Sequence, residues 1–336
     1  MLEKRIFRKH YVGKFTLIGL IGVLLFLTMG CFSKTSSKGT PEKIRLDYAY
    51  YSPTSLVLKK FGWLEETFEE EGIEIEWVLS QGSNKALEFL NSDSIDFGSS
   101  AGAAALMSKA NGAPIKNVYI YSKPEWTALV SRADSKIESI NDLQGKKVAA
   151  TLGTDPYIFL LRSLNEEGVS ASNVEIVNLQ HGDGASALTS GSVDGWAGLD
   201  PHMARLEIES DAELFYRNVD FNTYGFLNVR ESFVEQYPEY VSRVIEVYEK
   251  ARTWTIKNPK EAAEILAEEA SIPVDVAQKQ LERNDFSGPV PGKDQQRSLI
   301  EAGKVLQNGE VIDEDANVEK LVIELIDPSF AKETIE

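Results

Sequence analysis

Residues 86–98 read ALEFLNSDSIDFG, and residues 187–198 read ALTSGSVDGWAG. In each stretch a short helical pattern ends and a strand follows, with an aspartate at its start and small residues after it. The two copies lie about a hundred residues apart, so they predict two similar lobes with one copy in each. A chance match between two ordinary helix–turn–strand units is the competing explanation.

Around the two copies, strand patterns alternate with helix patterns, which predicts an α/β fold. Ile44–Tyr48 alternates like a strand, and Ser52-Pro53 then predicts a helix start. A further helix is predicted over Asn84–Leu90. The other predicted strands are 73–79, 95–98, 116–121, 127–131, 147–150 and 174–179. The last third of the chain is predicted to be mostly helical, with prolines 238, 259 and 273 near helix starts.

The first thirty residues have the pattern of a secretory signal. Five basic residues precede an apolar run from Phe15 to Met29, which is shorter than the ~20 residues that a membrane-spanning helix needs. The run ends in Gly30-Cys31, and a small residue before a cysteine is what a lipoprotein signal peptidase requires. We therefore expect residues 1–30 to be removed and Cys31 to carry a diacylglyceryl anchor. An ordinary buried thiol, or an uncleaved anchor ending at Cys31, are the alternatives.

Composition limits what the rest of the chain can do. Residues 31–41 are mostly small and polar and predict a flexible tether, with the fold beginning near Ile44. Cys31 is the only cysteine, which excludes an intramolecular disulfide and a second thiol for catalysis or metal binding. Removing residues 1–30 takes away five Lys/Arg and one Glu, so the formal net charge falls from −17 to −21. A chain this acidic is not expected to bind nucleic acid.

A more specific resemblance rests on motifs that occur in order between about Ile44 and Phe286. They are SIDFGS at 94–99, DLQGKKVA at 142–149, GT at 153–154 with LLRSL at 160–164, and GSVDGW at 191–196 with Asp200-Pro201. Together they resemble the aliphatic sulfonate, taurine and nitrate binding family of ABC-transporter substrate-binding lipoproteins. The resemblance implies a two-lobed, periplasmic-binding-protein-like fold of type II with crossing segments near residues 129–130 and 226–227. Lobe one would then hold residues 42–129 and 228–336, and lobe two residues 130–227.

The same resemblance implies the function. It indicates a solute-binding lipoprotein on the extracytoplasmic face of the cell membrane, which delivers an aliphatic sulfonate or taurine to an ABC permease. It implies no cofactor and no metal. Nitrate is less favoured because histidines are few, whereas a neutral heterocycle such as a vitamin precursor stays open. A lipoprotein that senses its ligand for a receptor is a further alternative.

A sulfonate stays ionised near neutral pH, so its site needs hydrogen-bond donors rather than a titrating base. Backbone N–H groups at helix N-termini are such donors, and glycine lets a ligand approach them closely. The predicted loop-to-helix starts are Gly82-Ser83, Ser99-Ser100 and Gly153-Thr154. Helix capping is the competing explanation for these residues. Tyr50 and Tyr51 after the first strand, and Trp196 in the second copy, are expected to form aromatic walls, with core packing as the alternative.

Two carboxylates point to a second feature of the ligand. Asp155 follows Gly153-Thr154, and Asp200 precedes Pro201. If either holds an ammonium group, the site favours an aminosulfonate such as taurine over a plain alkanesulfonate. Capping of its own helix is the alternative explanation for Asp155.

An enzyme is the rival class, and the motifs argue against it. His181 and His202 are the only histidines after the signal segment, and the loop His181-Gly182-Asp183-Gly184 matches neither a phosphate loop nor a dinucleotide fingerprint. The sequence has no nucleophile elbow, zinc-ligand spacing or paired catalytic carboxylates. Proteins of pyrimidine synthesis share the implied fold, but their cysteine-rich signature is missing. We therefore predict a binding protein without catalytic residues.

Overall fold

The structure, a computed structural model, describes residues 39–336, and these contain two β-sheets flanked by helices. Cys31, the predicted signal segment and most of the predicted tether lie outside the described residues. Within 39–336, no helix combines the length and the apolar character that a bilayer crossing needs.

The first sheet has six strands and the second has five. The strands of the first sheet are β1 Lys43–Tyr48, β2 Glu74–Leu79, β3 Phe97–Ala101, β4 Ile115–Pro124, β10 Gly225–Arg230 and β11 Asn284–Asp285. Those of the second sheet are β5 Leu129–Ser131, β6 Lys147–Ala150, β7 Glu175–Asn178, β8 Gly195–Ala197 and β9 Glu213–Tyr216. Each strand predicted from the sequence overlaps one of these, and the α/β two-lobed fold is confirmed.

Helices cover both sheets, and they are concentrated in the last third of the chain as predicted. Those before the return to the first sheet are α1 Pro53–Phe61, α2 Trp63–Phe68, α3 Ser83–Asn91, α4 Gly102–Ala110, α5 Asp155–Glu166, α6 His181–Thr189 and α7 His202–Glu209. Those after it are α8 Glu231–Gln236, α9 Pro238–Lys257, α10 Pro259–Ala270, α11 Val274–Glu282, α12 Lys293–Asn308, α13 Val318–Leu325 and α14 Ser329–Ile335. The prolines at 238 and 259 open helices, where their fixed φ and missing N–H are tolerated.

The two sheets repeat one topology. In the first, the order β2-β1-β3 is parallel and is followed by the antiparallel strand β10. In the second, β7-β6-β8 is parallel and is followed by the antiparallel strand β5. The unit α3–β3 therefore corresponds to α6–β8, and these are the two stretches that look alike in sequence.

The aspartate shared by both copies has a structural role. The backbone N–H of Asp96 donates to the carbonyl of Arg45 at 2.8 Å, and its carboxylate accepts from the Arg45 N–H at 2.9 Å. Asp194 makes the same two hydrogen bonds with Lys147, again at 2.8 and 2.9 Å. Each aspartate thus fixes the register of its strand against the first strand of its own sheet, which explains why both copies carry it.

Two connecting segments join the sheets. The chain leaves the first sheet after Pro124, enters the second at Leu129, and returns between Tyr216 and Gly225. The two segments are hydrogen-bonded to each other, because the Thr127 N–H donates to Asn222 Oδ1 at 2.9 Å. Leu129 pairs in the second sheet and residues 225–227 pair in the first, so the crossings lie slightly before the predicted positions near 129–130 and 226–227. We therefore propose residues 42–124 and 225–336 as lobe one, in place of 42–129 and 228–336, and residues 129–216 as lobe two, in place of 130–227.

Candidate functional site

A cavity of about 240 Å³ lies between the two lobes. Its walls are formed by Tyr50, Tyr51, Ser80 and Gln81 from lobe one, and by Gln180, His181, Gly182, Asp183, Leu199, Asp200, Pro201 and His202 from lobe two. All these residues follow the carboxyl ends of parallel strands, namely β1 and β2 in lobe one and β7 and β8 in lobe two. Ligands of open α/β sheets bind at this edge.

Helix N-termini from both lobes open towards the cavity. In lobe one, α1 begins shortly after Tyr51, and α3 begins shortly after Gln81. In lobe two, α6 begins at His181 and α7 at His202, and both residues line the cavity. The first amides of a helix have no intrahelical acceptor, and the helix dipole makes this end favourable for anions. No lysine or arginine is among the lining residues, so backbone donors are the main source of positive potential.

His181 is a buried polar side chain in the wall of the cavity. It is 2% exposed, and its Nδ1 lies 3.1 Å from Thr151 Oγ1. Its Nε2 is buried and has no hydrogen-bond partner within residues 39–336. Burial, together with the neighbouring His202, lowers the pKa of His181 to about 3, so the ring is neutral at physiological pH.

Asp200 lines the cavity and also joins the lobes. Both of its carboxylate oxygens accept hydrogen bonds from Arg283 of lobe one, at 3.1 and 3.2 Å. Arg283 pairs with Glu207 of α7 as well, and Lys279 of α11 lies 3.4 Å from Glu207. Burial raises the pKa of Asp200 to about 6, although Arg283 opposes the shift. These ion pairs hold α11 of lobe one against α7 of lobe two.

Four of the residues predicted for the site lie at the cavity. Tyr50, Tyr51 and Asp200 line it, and Gly82 borders it. A Cβ atom on Gly82 would lie 2.9 Å from His181 Nε2, so only glycine lets the lobes approach this closely. The phenol of Tyr51 donates to the Ser99 carbonyl at 3.0 Å, which leaves its ring as the surface it presents to the cavity.

The predicted serines are buried in lobe one, where the hydroxyls of Ser83 and Ser100 and the backbone N–H of Ser99 make internal hydrogen bonds. Ser83 Oγ accepts from the Ala101 N–H at 2.9 Å, and Ser100 Oγ accepts from Asn228 at 2.8 Å. The Ser99 N–H donates to Asp47 at 2.8 Å. Asp47 is fully buried and has no cationic partner among residues 39–336, and this burial raises its pKa to about 7. None of the three serines is among the lining residues, so the structure places their hydroxyls beside the cavity rather than in its wall.

Gly153, Thr154 and Asp155 lie apart from the cavity. Gly153 approaches lobe one, where a Cβ atom on it would lie 3.4 Å from the Cβ of Asn84. Thr154 is buried, and its hydroxyl donates to the Thr151 carbonyl at 2.6 Å.

Asp155 binds both connecting segments. Its carboxylate accepts from Trp126 Nε1 at 2.8 Å, from the Thr223 N–H at 2.9 Å and from Thr223 Oγ1 at 2.7 Å. Trp126 belongs to the first connecting segment and Thr223 to the second. The carboxylate is therefore occupied at the hinge between the lobes, and burial raises its pKa.

Trp196 packs inside lobe two. It is 1% exposed and belongs to a core cluster on one face of the second sheet. A Cβ atom on Gly184 of α6 would lie 2.7 Å from Trp196 Nε1, so the indole fills the space beneath that helix. The core-packing alternative is the one that its position supports.

Ser80, Gln81 and Gln180 were not predicted from the sequence as site residues, and the histidines were considered only for catalysis and for binding of nitrate. Their positions could have indicated them, because these residues directly follow the predicted strands 73–79 and 174–179, where ligands of such sheets bind. Within the part of the chain that the structure describes, no group of three or more His, Cys, Asp or Glu side chains is arranged to hold a metal ion.

A larger surface groove of about 800 Å³ lies entirely in lobe one. Its lining includes Ile256, Leu281 and Phe286, near the ends of α9 and α11. It has no wall from lobe two, so a ligand there would not couple to lobe closure. We therefore take the smaller cavity between the lobes as the candidate site.

Known proteins resemble this chain over most of its length. A provisionally named aliphatic sulfonates-binding protein of Bacillus subtilis (strain 168) is 27% identical over 325 residues, covering 95% of this chain and 96% of that protein. The taurine-binding periplasmic protein of Escherichia coli (strain K12) is 26% identical over 229 residues, 65% of this chain and 68% of its own. The alkanesulfonate-binding protein SsuA from Xanthomonas axonopodis pv. citri, solved bound to MOPS, has a TM-score of 0.78 at 22% identity, covering 84% of this chain and 98% of that one.

The likeness to the solved structure supports the fold, and the two curated relatives are binding proteins by name rather than enzymes. A family model described as NMT1/THI5 like matches residues 62–262, which include both sequence copies and most of the cavity. The chain belongs to the NMT1/THI5-like family.

Proposed function

We propose that this chain is the extracytoplasmic solute-binding protein of an ABC importer, and that its ligand is an aliphatic sulfonate or taurine. The observation that carries the proposal is the meeting of helix N-termini from both lobes at one cavity. This arrangement offers donors and a favourable dipole to an anion without requiring a lysine or arginine.

The size of the cavity suits a small ligand. Its volume of about 240 Å³ lies below the roughly 300–1,000 Å³ of clefts that take drug-sized molecules. A ligand enclosed by both lobes stabilises the arrangement in which they meet, which is how a binding protein reports occupancy to a permease. The named relatives bind aliphatic sulfonates or taurine, which supports the same class of ligand here.

The anchor is the finer part of the proposal. Gly30-Cys31 at the end of an apolar run supports cleavage before Cys31 and attachment of a diacylglyceryl group to it. Residues 31–41 then act as the tether that lets the lobes reach the permease from the outer face of the cell membrane.

A neutral heterocycle is the second candidate ligand. Two observations favour it: the ring of Tyr51 faces the cavity, and the neutral ring of His181 offers an acceptor to an N–H group. A neutral ligand would not need the helix N-termini, so the charge of the bound ligand distinguishes a sulfonate from a heterocycle.

The test is a binding panel. Calorimetric titrations with an alkanesulfonate, taurine, nitrate and an aminopyrimidine are paired with mass spectrometry of whatever co-purifies with the protein. Binding of a sulfonate, unchanged after prolonged incubation, supports the proposal. Tight binding of the aminopyrimidine with no sulfonate binding would transfer the function to the heterocycle, and turnover of any ligand would contradict a binding role.

A further inference from the structure

The hydrogen bonds around His181 determine its tautomer. The hydroxyl of Thr151 donates to the Leu179 carbonyl at 2.7 Å, which uses its only hydrogen. The oxygen of Thr151 can therefore only accept from His181, so Nδ1 at 3.1 Å carries the proton. In a neutral ring the other nitrogen is then a bare acceptor.

The bare nitrogen Nε2 faces Gly82 of lobe one at the border of the cavity. It lies 2.9 Å from the position that a Cβ atom on Gly82 would occupy, and it is buried without a donor among residues 39–336. A buried acceptor left unpaired is costly, so this position calls for a donor from the ligand.

The surroundings keep the ring neutral. Burial is the main cause of its low pKa, and His202 on α7 adds to it. His181 is also the first residue of α6, where the helix dipole disfavours a positive charge. The titratable groups that share the cavity are Tyr50, Tyr51, Asp183, Asp200 and His202, and Asp200 is already paired with Arg283.

Resting on the proposed sulfonate-binding function, we infer that the ligand presents an N–H or O–H group to His181 Nε2. The preferred ligand would then be a short sulfonate with an amino or hydroxyl group at its other end, and His181 would be the residue that selects it. Asp155, which is occupied at the hinge, would have no part in this choice.

Three sulfonates of nearly equal size test the inference on the full-length chain in detergent. 2-Aminoethanesulfonate, 2-hydroxyethanesulfonate and 1-propanesulfonate differ at the terminal position, which is an ammonium, a hydroxyl or a methyl group. We expect 2-aminoethanesulfonate or 2-hydroxyethanesulfonate, or both, to bind roughly tenfold or more tightly than 1-propanesulfonate, because a methyl group leaves Nε2 unpaired. The preference for the hydroxyl over the methyl group should be constant between pH 6 and pH 8, whereas binding of the ammonium compound also depends on the charge of Asp200, whose pKa is about 6.

Two variants assign the effect to His181. His181→Leu should remove the preference, whereas His181→Gln, whose side-chain oxygen can take the place of Nε2 as acceptor, should retain most of it. Thermal melting shows whether either variant is folded. If both variants fail to fold, the comparison of the three sulfonates on the wild-type protein decides the inference.

Two results would overturn the inference while leaving sulfonate binding intact. One is equal or tighter binding of 1-propanesulfonate by the wild type. The other is an affinity for all three ligands that falls as pH rises from 6 to 8, with proton uptake on binding that persists in Asp200→Asn and is lost in His181→Gln, because the sulfonate itself would then lie against a protonated ring. If none of the three binds the wild type, the proposed function itself fails.

Discussion

Replacing Arg283 with methionine should weaken closure of the lobes and, with it, ligand affinity. Arg283 follows α11 in lobe one, whereas its partners Asp200 and Glu207 belong to lobe two. The side chains of Arg283 and Asp200 are only 9% and 1% exposed, so the substitution leaves a buried carboxylate without its cation as long as the lobes are together. Separation of the lobes returns that carboxylate to water.

The magnitude follows from this burial. Removing one partner of a buried ion pair costs about 3–5 kcal/mol. The lower value applies here, because Asp200 keeps a hydrogen bond from the Ala204 N–H at 2.9 Å and can take up a proton. A loss of about 3 kcal/mol from the closed arrangement corresponds to roughly hundredfold weaker binding. The loss should be larger at pH 8 than at pH 6, because without Arg283 the pKa of Asp200 lies above its present value of about 6 and the acid is neutral at the lower pH.

Calorimetry with the tightest-binding sulfonate and small-angle scattering measure the two consequences. The wild type should become more compact with saturating ligand, and Arg283→Met should do so less. Arg205→Met is the matched control, since Arg205 is half-exposed and pairs within α7 with Glu209 at 2.7 Å, and such pairs contribute little. Adding Asp200→Asn to Arg283→Met should recover much of the affinity. Unchanged affinity and compaction in Arg283→Met would refute the reasoning.

Three further predictions concern other parts of the chain. Cys31→Ala should abolish lipid labelling and leave the precursor uncleaved, and normal labelling and processing in that variant would contradict the anchor. Asp47→Asn should flatten the pH dependence of stability. The folded state holds a proton on Asp47 up to about pH 7, so Asp47 contributes a fall in the wild-type free energy of unfolding on the order of 4 kcal/mol as pH rises from about 4 to 7. Urea titrations at pH 5 and pH 8 measure this, and an equal pH dependence in both proteins would contradict it. Asp155→Asn should lower the free energy of unfolding by about 1–3 kcal/mol, because the hydrogen bonds from Trp126 and Thr223 lose their charged acceptor, while the preference between taurine and ethanesulfonate stays the same. A changed preference would place Asp155 in ligand recognition.

The repeat was the part of the fold that the sequence could predict best, and the reason lies in Asp96 and Asp194. Each closes the same pair of hydrogen bonds onto the first strand of its own sheet. These hydrogen bonds depend only on the local geometry of the strands, which is the same in both lobes. Both lobes therefore need an aspartate at this position, and the shared aspartate is visible in the sequence. The strand limits followed for a similar reason, since alternation of apolar and polar residues reports burial within one sheet.

The candidate site depended on an arrangement that is not local. Gly82-Ser83 and Gly153-Thr154 have the same sequence pattern before a helix, yet the first borders the cavity and the second lies beside α3 and the hinge. The difference arises because lobe one turns the ends of β1 and β2 towards the cleft, whereas lobe two turns the ends of β7 and β8. The sequence of either loop does not indicate how the two lobes are oriented relative to each other.

The same asymmetry explains the different positions of the two predicted carboxylates. In the repeat, α1 corresponds to α5 and α4 corresponds to α7, so Asp155 at the start of α5 occupies the place that the start of α1 has in lobe one. The start of α1 lies at the cavity, but the start of α5 lies where both connecting segments pass, and its carboxylate accepts their donors. Asp200 lies just before the N-terminus of α7, and this N-terminus faces lobe one. The carboxylate of Asp200 therefore meets Arg283 across the cleft. The repeat thus identifies which loops are equivalent, while the packing of one lobe against the other decides which of them bind ligand and which hold the hinge.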